Sequence, residues 1–274
     1  MFTKKVIISN FLLFHLIKKV WNSRKILLVT TKYELQKKYA GSLLGIIWVI
    51  LYPLLFLCIY LFLYLVVFKV RFPSMSSFEY VVYVFSGLVP FICLMDVVNT
   101  STVSMRQNSH LIKNVIMPIE LIPFRTMLVS MVGQFAGLLI ILALVISSGE
   151  LSSKIVFLPV VIALQIILFA GISWLLSALG VLLPDLGTFV GLLMLFLLFL
   201  SPVAFHPDMV PQNLQLILYM NPAYYLIEAF RWCLLSSAQY SALVLGLYTM
   251  ISFLTFFAGA TFFIRLKDNL IDYE

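Results

Sequence analysis

Residues Lys37 to Phe68 read KKYAGSLLGIIWVILYPLLFLCIYLFLYLVVF, and from Leu43 to Phe68 there are 26 residues without an Asp, Glu, Lys or Arg. About 20 apolar residues carry a helix across a bilayer core, so this run predicts a membrane span with some tilt. Within it Trp48, Tyr52, Phe56, Tyr60, Tyr64 and Phe68 recur at every fourth position. Side chains four apart are neighbours on one helix face, which makes an aromatic ladder. Each step overshoots a full turn by roughly 40°, so the ladder winds slowly around a straight helix. Single rungs of this kind anchor span ends at headgroups or pack between helices. The ladder as a whole offers flat apolar faces, π density and hydroxyl handles, a surface suited to a long hydroxylated molecule such as a glycan.

The remainder of the chain has the same character. Of its 274 residues, 63% are hydrophobic and 11% charged, a composition outside the soluble range, so the fold class expected is an all-α integral membrane protein. Five further apolar segments follow the first, at 80–98, 121–146, 155–183, 186–205 and 242–264. Six transmembrane helices place both termini on one side. On that side fall 14 Lys and Arg, nine of them within residues 1–42, against four on the other, Lys69, Arg71, Lys154 and Arg231. The positive-inside rule then puts both termini in the cytoplasm. This distribution accounts for the net charge of +7, and no basic run interleaved with stacking aromatics points to nucleic acid. The expected organisation is a single domain over residues 1–274, with a cytoplasmic interface and gate region at 1–42, a six-span bundle at 43–264 and a cytoplasmic tail at 265–274.

Three segments are not plain spans. In residues 1–42, Phe11, Phe14, Ile17 and Trp21 share one helical face with Lys18, Lys19, Arg24 and Lys25 beside it, the pattern of an interface helix lying in the headgroup plane. No secretory signal pattern is present in that segment. Residues 104–116, SMRQNSHLIKNVI, predict a short cytoplasmic helix capped by Asn108 or Ser109, with Leu111, Ile112, Val115 and Ile116 apolar and Lys113 and Asn114 opposite. Such a rod suits a cleft on a cytoplasmic partner. Residues 206–235 are too polar for a normal crossing and too apolar for a free loop; Asn221-Pro222 splits them into two amphipathic pieces. That predicts a re-entrant or interfacial hairpin at an outer exit, with Glu228 and Arg231 three apart and able to pair.

Between the fourth and fifth spans only Leu183-Pro184-Asp185-Leu186-Gly187 interrupts about 50 apolar residues. Pro, Asp and Gly together make a tight turn there. Asp96, Glu120, Arg125 and Asp185 fall near predicted span ends and form no chain of acids through a span, which argues against a proton relay. Cys58, Cys93 and Cys233 show no CxxC spacing, and His15, His110 and His206 are scattered, so neither disulfides nor a metal site is expected. The chain has no G-x-x-x-x-G-K-[ST] motif and no Gly-Lys pair at all, which leaves no phosphate-cradling loop. Nucleophile and metalloprotease arrangements are missing as well. An ion-coupled flippase would need acids in mid-span, and a membrane-embedded glycan-modifying enzyme would need polar groups converging at one depth; the sequence shows neither.

Four runs in order, YAGSLLGIIWVILYPLL (Tyr39 to Leu55), HLIKNVIMPIELIP (His110 to Pro123), SPVAFHPDMVP (Ser201 to Pro211) and MNPAYYLIEAFR (Met220 to Arg231), resemble membrane subunits of polysaccharide-exporting ABC transporters, the permeases for O-antigen, teichoic acid and capsule. The resemblance implies a homodimer in the bacterial inner membrane, bound to two copies of a cytoplasmic ABC ATPase that holds the ATP and Mg, with no cofactor in this chain. The implied substrate is a polyprenyl-linked polysaccharide; a drug or lipid cargo is the alternative within the same architecture. On this reading Lys37 and Lys38 attract the carrier phosphate, and Tyr39, Trp48, Tyr52, Phe56 and Tyr60 line the path. Asn108, His110, Leu111, Ile112, Lys113 and Val115 form the coupling helix, and Asn221, Pro222, Tyr224, Tyr225, Glu228 and Arg231 the periplasmic exit. The family often has an Arg-Asp pair after the fourth span, where this chain reads Pro184-Asp185.

Overall fold

Backbone that leaves water must bond to itself, and a helix does so within one segment. The computed structural model describes residues 16, 18–69, 76–109, 117–149, 152–236, 238 and 242–273, and helices build its architecture. In chain order these are α1 (Arg24–Lys38), α2 (Trp48–Leu61), α3 (Ser77–Gln107), α4 (Leu121–Ser148), α5 (Leu158–Leu182), α6 (Leu186–Leu200), α7 (Gln215–Met220), α8 (Pro222–Leu234) and α9 (Ala242–Tyr273). A 3₁₀ turn at Gly45–Ile47 leads into α2, another at Ser153–Phe157 leads into α5, and a π-helical turn at Phe62–Val67 continues α2. Of the expected interface helix, Phe11, Phe14 and Ile17 lie outside the described residues, and Trp21 is exposed.

Among the described residues five helices are long and apolar enough to span, Gly45–Val67, Ser77–Gln107, Leu121–Ser147, Ser153–Leu182 and Ala242–Lys267. The segment expected at 186–205 falls short of that. Its helix α6 has 15 residues, about 22 Å, against a hydrocarbon core of about 30 Å. The helix stops because Ser201 precedes Pro202 and takes extended backbone, with ψ 145°, as a residue before proline prefers.

Helix α3 is the axis of the bundle. It begins with a capping box, Glu79 N–H donating to Ser76 Oγ at 3.2 Å and Ser76 N–H to Glu79 Oε2 at 2.6 Å, which satisfies two orphan donors at once. It runs nine residues beyond the expected end at Val98. Its polar tail stays helical because its side chains find partners inside the bundle: Ser101 Oγ donates to Ser173 Oγ at 2.9 Å, and Arg106 donates to the carbonyls of Gly180 and Pro184. Buried polar pairs of this kind join helices where the apolar effect between them is weak. Gln134 on α4 and Gln165 on α5 do the same, exchanging two amide hydrogen bonds at 2.7 and 2.8 Å while both are buried.

Helices α5 and α9 cross at glycines. A Cβ built on Gly259 would lie on the carbonyl oxygen of Gly171 and 2.7 Å from its carbon, and one on Gly171 would lie 2.5 Å from Phe256 Cα. Only residues without side chains allow backbones this close. Helix α9 continues past the expected end at Ile264 because Lys267 has work at the far end of the bundle. Its Nζ is 3.5 Å from Glu120, which also receives Lys19 Nζ at 3.0 Å. Burial alone would raise the Glu120 carboxyl, but its backbone hydrogen bond and the two lysines outweigh this and hold it below its ordinary value. Trp174 Nε1 donates to the Glu120 carbonyl at 3.0 Å, so this one residue ties the N-terminal segment, α5 and α9 together.

Candidate functional site

The first span carries its rings with a change of pitch halfway. Over Trp48–Leu61 the α-helical step of four drifts forward around the axis. Over Phe62–Val67 the turn widens, Phe68 N–H reaching back to the Leu63 carbonyl at 2.8 Å, and a step of four then falls short of a full turn. The drift reverses, so the upper rungs do not continue the winding expected of a straight helix. Lys69 ends the run in the left-handed region at φ 51°. Tyr52 packs on Phe56 with centroids 5.0 Å apart, Tyr60 stacks on Tyr64 at 5.9 Å, and Tyr64 meets Phe68 edge-on at 5.7 Å.

The lower rungs face a cavity of about 310 Å³ lined by Tyr39, Trp48, Tyr52, Cys93, Asp96 and Gln134. Burial raises the Tyr39 phenol above its ordinary value, Lys38 opposing and Asp96 adding to the shift, so it is a neutral hydroxyl at physiological pH. Beside this cavity lies a second of about 410 Å³, lined by Glu34, Lys37, Thr100, Gln107, Asn108 and Thr126. Lys38, Val129 and Ser130 line both. Lys37, Lys38, Tyr39, Trp48 and Tyr52 are therefore brought to one place. Phe56 stands one turn further along, against Tyr52. Tyr60 departs from the expectation of a path-lining ring: it is buried, 5% exposed, with its hydroxyl 3.5 Å from the Leu198 carbonyl of α6.

Lys38 does not stand there as a free cation. Its Nζ lies 2.7 Å from Asp96 Oδ2 on α3. One turn earlier on α1, Glu34 pairs with Arg125 at 3.4 Å, and Arg125 donates to Asn108 Oδ1 at 2.7 Å. Asn108 is buried at the end of α3 and donates back to the Ser104 carbonyl at 2.8 Å. The residues expected to follow it in a coupling helix, His110, Leu111, Ile112, Lys113 and Val115, lie outside the described residues. Asp96, expected near a span end, instead lies inside α3, which runs on to Gln107, and its partnership with Lys38 is what the sequence did not show. Its signal was a lone carboxylate in a long apolar run, the kind of residue that lipid tolerates only with a partner.

At the opposite end the expected hairpin is two short helices split at Asn221-Pro222. Asn221 caps α8, its Oδ1 accepting from Ala223 N–H at 3.0 Å while its Nδ2 donates to Ser201 Oγ at 2.8 Å. Pro222 occupies the first helical position, where its missing N–H costs nothing. The core of α8 is Arg231, 1% exposed. It donates to Glu228 Oε1 at 2.9 Å and to the Val203 carbonyl at 2.7 Å, and its guanidinium lies 3.7 Å from the centre of the Tyr83 ring. Tyr80 and Tyr83 donate to the carbonyls of Ala204 and Phe205 at 2.8 and 3.2 Å, so the bent segment 201–205 is held by side chains. Tyr225 Oη donates to the Tyr219 carbonyl at 2.7 Å, locking α7 onto α8. A cavity of about 240 Å³ opens here, walled by Tyr83, His206, Tyr219, Tyr224, Glu228 and Arg231.

Among the described residues no cluster of three or more His, Cys, Asp or Glu is placed to hold a metal. What the arrangement offers is a charged vestibule, a ring-lined cavity beside it, and an aromatic hairpin at the far end.

Several curated relatives are named O-antigen export system permease protein RfbA. One from Klebsiella pneumoniae is 26% identical over 88% of this chain and 92% of its own length. The one from Myxococcus xanthus is 23% identical over 79% and 82%. The polysialic acid transport protein KpsM of Escherichia coli is 25% identical over 87% of this chain and 92% of its own. The profile of the ABC-2 type transporter family matches residues 26–235, a stretch that takes in the two cavities beside α1, the first span and the α7–α8 hairpin, and the chain belongs to that family of membrane proteins.

Proposed function

We propose that this chain is the permease subunit of an ATP-driven exporter that moves a lipid-linked polysaccharide, of O-antigen, teichoic acid or capsule type, across the bacterial inner membrane. The observation that carries this reading is near full-length similarity to proteins named for the export or transport of two different glycans, O-antigen and polysialic acid. Six crossings, with α6 completing the set, keep both termini in the cytoplasm, where the excess of Lys and Arg lies. The working unit is a homodimer carrying two copies of a cytoplasmic ABC ATPase, which binds ATP and Mg. The segment after Asn108 meets that ATPase as a coupling helix, and its movement reaches the gate through Arg125 and Glu34.

In this mechanism the carrier lipid's phosphate arrives at Lys37 and Lys38, and the sugar chain follows past Tyr39, Trp48, Tyr52 and Phe56. Rings bind sugars through apolar faces without fixing any one residue, which lets a polymer slide. The hairpin of Asn221, Pro222, Tyr224, Tyr225, Glu228 and Arg231 borders the outer exit. Replacing Tyr52 and Phe56 together with Ala is expected to lower surface polysaccharide at least tenfold while the complex with the ATPase still co-purifies. Wild-type surface glycan in that double variant would remove the rings from the path.

A further inference from the structure

The two cavities at the α1 end meet at a wall shared by Lys38, Val129 and Ser130, and the charged member of that wall is in an ion pair. Lys38 lines both, and its Nζ is held 2.7 Å from Asp96. Asp96 lies about 16 Å along α3 from its Gln107 end, well inside the apolar length of that helix. Both side chains keep about a third of their surface, 35% and 32%. The chain itself therefore covers the pair only in part, and an accessible pair of this kind is easily exchanged. The backbone beside it is lightly packed. Lys38 ends α1, and the turn that follows holds Gly41 at φ 78° and Gly45 at φ 53° with nothing packed where a Cβ would be. Leu43 between them is fully exposed.

We infer that Lys38–Asp96 is an anion-released latch between the vestibule and the ring-lined cavity. The ligand that opens it is a phosphate-bearing group, the headgroup of the carrier lipid. A diphosphate carries more negative charge than one carboxylate, so it displaces Asp96 from Lys38 and repels it. Lys37, also on the vestibule wall, supplies a second cation. With Lys38 turned to the anion, the end of α1 swings on the Gly41 turn and the two cavities join. An uncharged lipid leaves the latch shut, so Asp96 makes the gate selective for anionic carriers. This rests on the export reading for its substrate and not for its geometry.

A natural reporter sits behind the latch, because Cys93 lines the inner cavity and is 2% exposed. In full-length chain carrying Cys58→Ser and Cys233→Ala, in bilayer nanodiscs, a charged methanethiosulfonate reagent should modify Cys93 slowly. Asp96→Asn should speed this roughly threefold to fivefold, the size of an accessible ion pair. Lys38→Met should do the same, and the double variant should be no faster than either, since both remove one interaction. Undecaprenyl diphosphate in the bilayer should accelerate labelling of the parent and not of Lys38→Met, while undecaprenol has no effect. Inorganic pyrophosphate in the buffer forms a second arm. Acceleration by either arm that depends on Lys38 supports the latch, and the arm that acts names the source of the anion. Additive single variants, wild-type labelling in Asp96→Asn, or equal acceleration of Lys38→Met would overturn it. The measurement uses neither ATPase nor export, so failure of the latch leaves the export reading standing, and failure of export leaves these rates unchanged.

Discussion

Gly259→Leu is expected to abolish recovery of folded protein from membranes. At the α5–α9 crossing the new Cβ would fall on the carbonyl oxygen of Gly171, and neither backbone has a neighbour that gives way. Helices forced apart there lose the contacts that place Trp174 against Phe256, whose rings are 5.6 Å apart, and pull Lys267 from Glu120. The cost lies at or above the upper end of overpacking, about 3 kcal/mol. Gly246→Leu, on the same helix with nothing within 4 Å of its Cβ, is the matched control and should leave the melting temperature in detergent unchanged. Equal melting of the two variants would show that the crossing has room for a side chain at Gly259.

Arg231→Met should loosen the outer hairpin. The substitution leaves the Glu228 carboxylate without its cation and the Val203 carbonyl without its donor, and it takes away the guanidinium over Tyr83. Removing one partner of a buried pair costs about 3–5 kcal/mol; Glu228, 24% exposed on the cavity wall, is partly hydrated once its partner is gone, so the expected cost is at or below the lower end of that range. Arg231→Lys should recover less than half of this, since one ammonium cannot serve two acceptors in a fixed fork and cover a ring face as well. The readouts are the melting temperature and the rate of proteolysis within residues 206–220. Wild-type values for Arg231→Met would mean that α8 is held by its apolar burial alone.

These two sites mark what sequence reading could and could not reach. The first span was legible because an uncharged run of that length has one stable solution in a membrane. The breaks at Pro184-Asp185 and Asn221-Pro222 were legible for the same local reason, since proline cannot continue a helix and Asp and Asn favour turns and caps. The far end of α6 was misjudged because Val203, Ala204 and Phe205 are apolar, and the governing feature, Ser201 before Pro202, weighs little in a hydropathy count. The extra lengths of α3 and α9 were missed because their polar residues read as span ends. Ser101 and Lys267 stay in helices only because Ser173 and Glu120 wait for them elsewhere in the chain.

The site divides along the same line. The rings of the ladder declared themselves by spacing within one helix, although the π-helical turn that redirects them, and the burial of Tyr60 against α6, have no local signature. The pairs that shape the vestibule join residues 58 and 91 positions apart, Lys38 with Asp96 and Glu34 with Arg125. No periodicity links such partners. A charge at membrane depth announces that it needs a counter-ion, and only the packing of α1 on the bundle says which one.

The central claim is that this subunit is a conduit for sugar polymers worked by a separate nucleotide-hydrolysing partner. The most direct measurement places the chain and its co-purified ATPase in proteoliposomes with a fluorescent lipid-linked glycan on the ATPase-facing leaflet. Delivery of glycan to the opposite compartment should require ATP and the partner, and vesicles holding the chain alone should deliver none. Transport by the chain alone under an ion gradient, or release of a cleaved or modified sugar without the partner, would contradict the account.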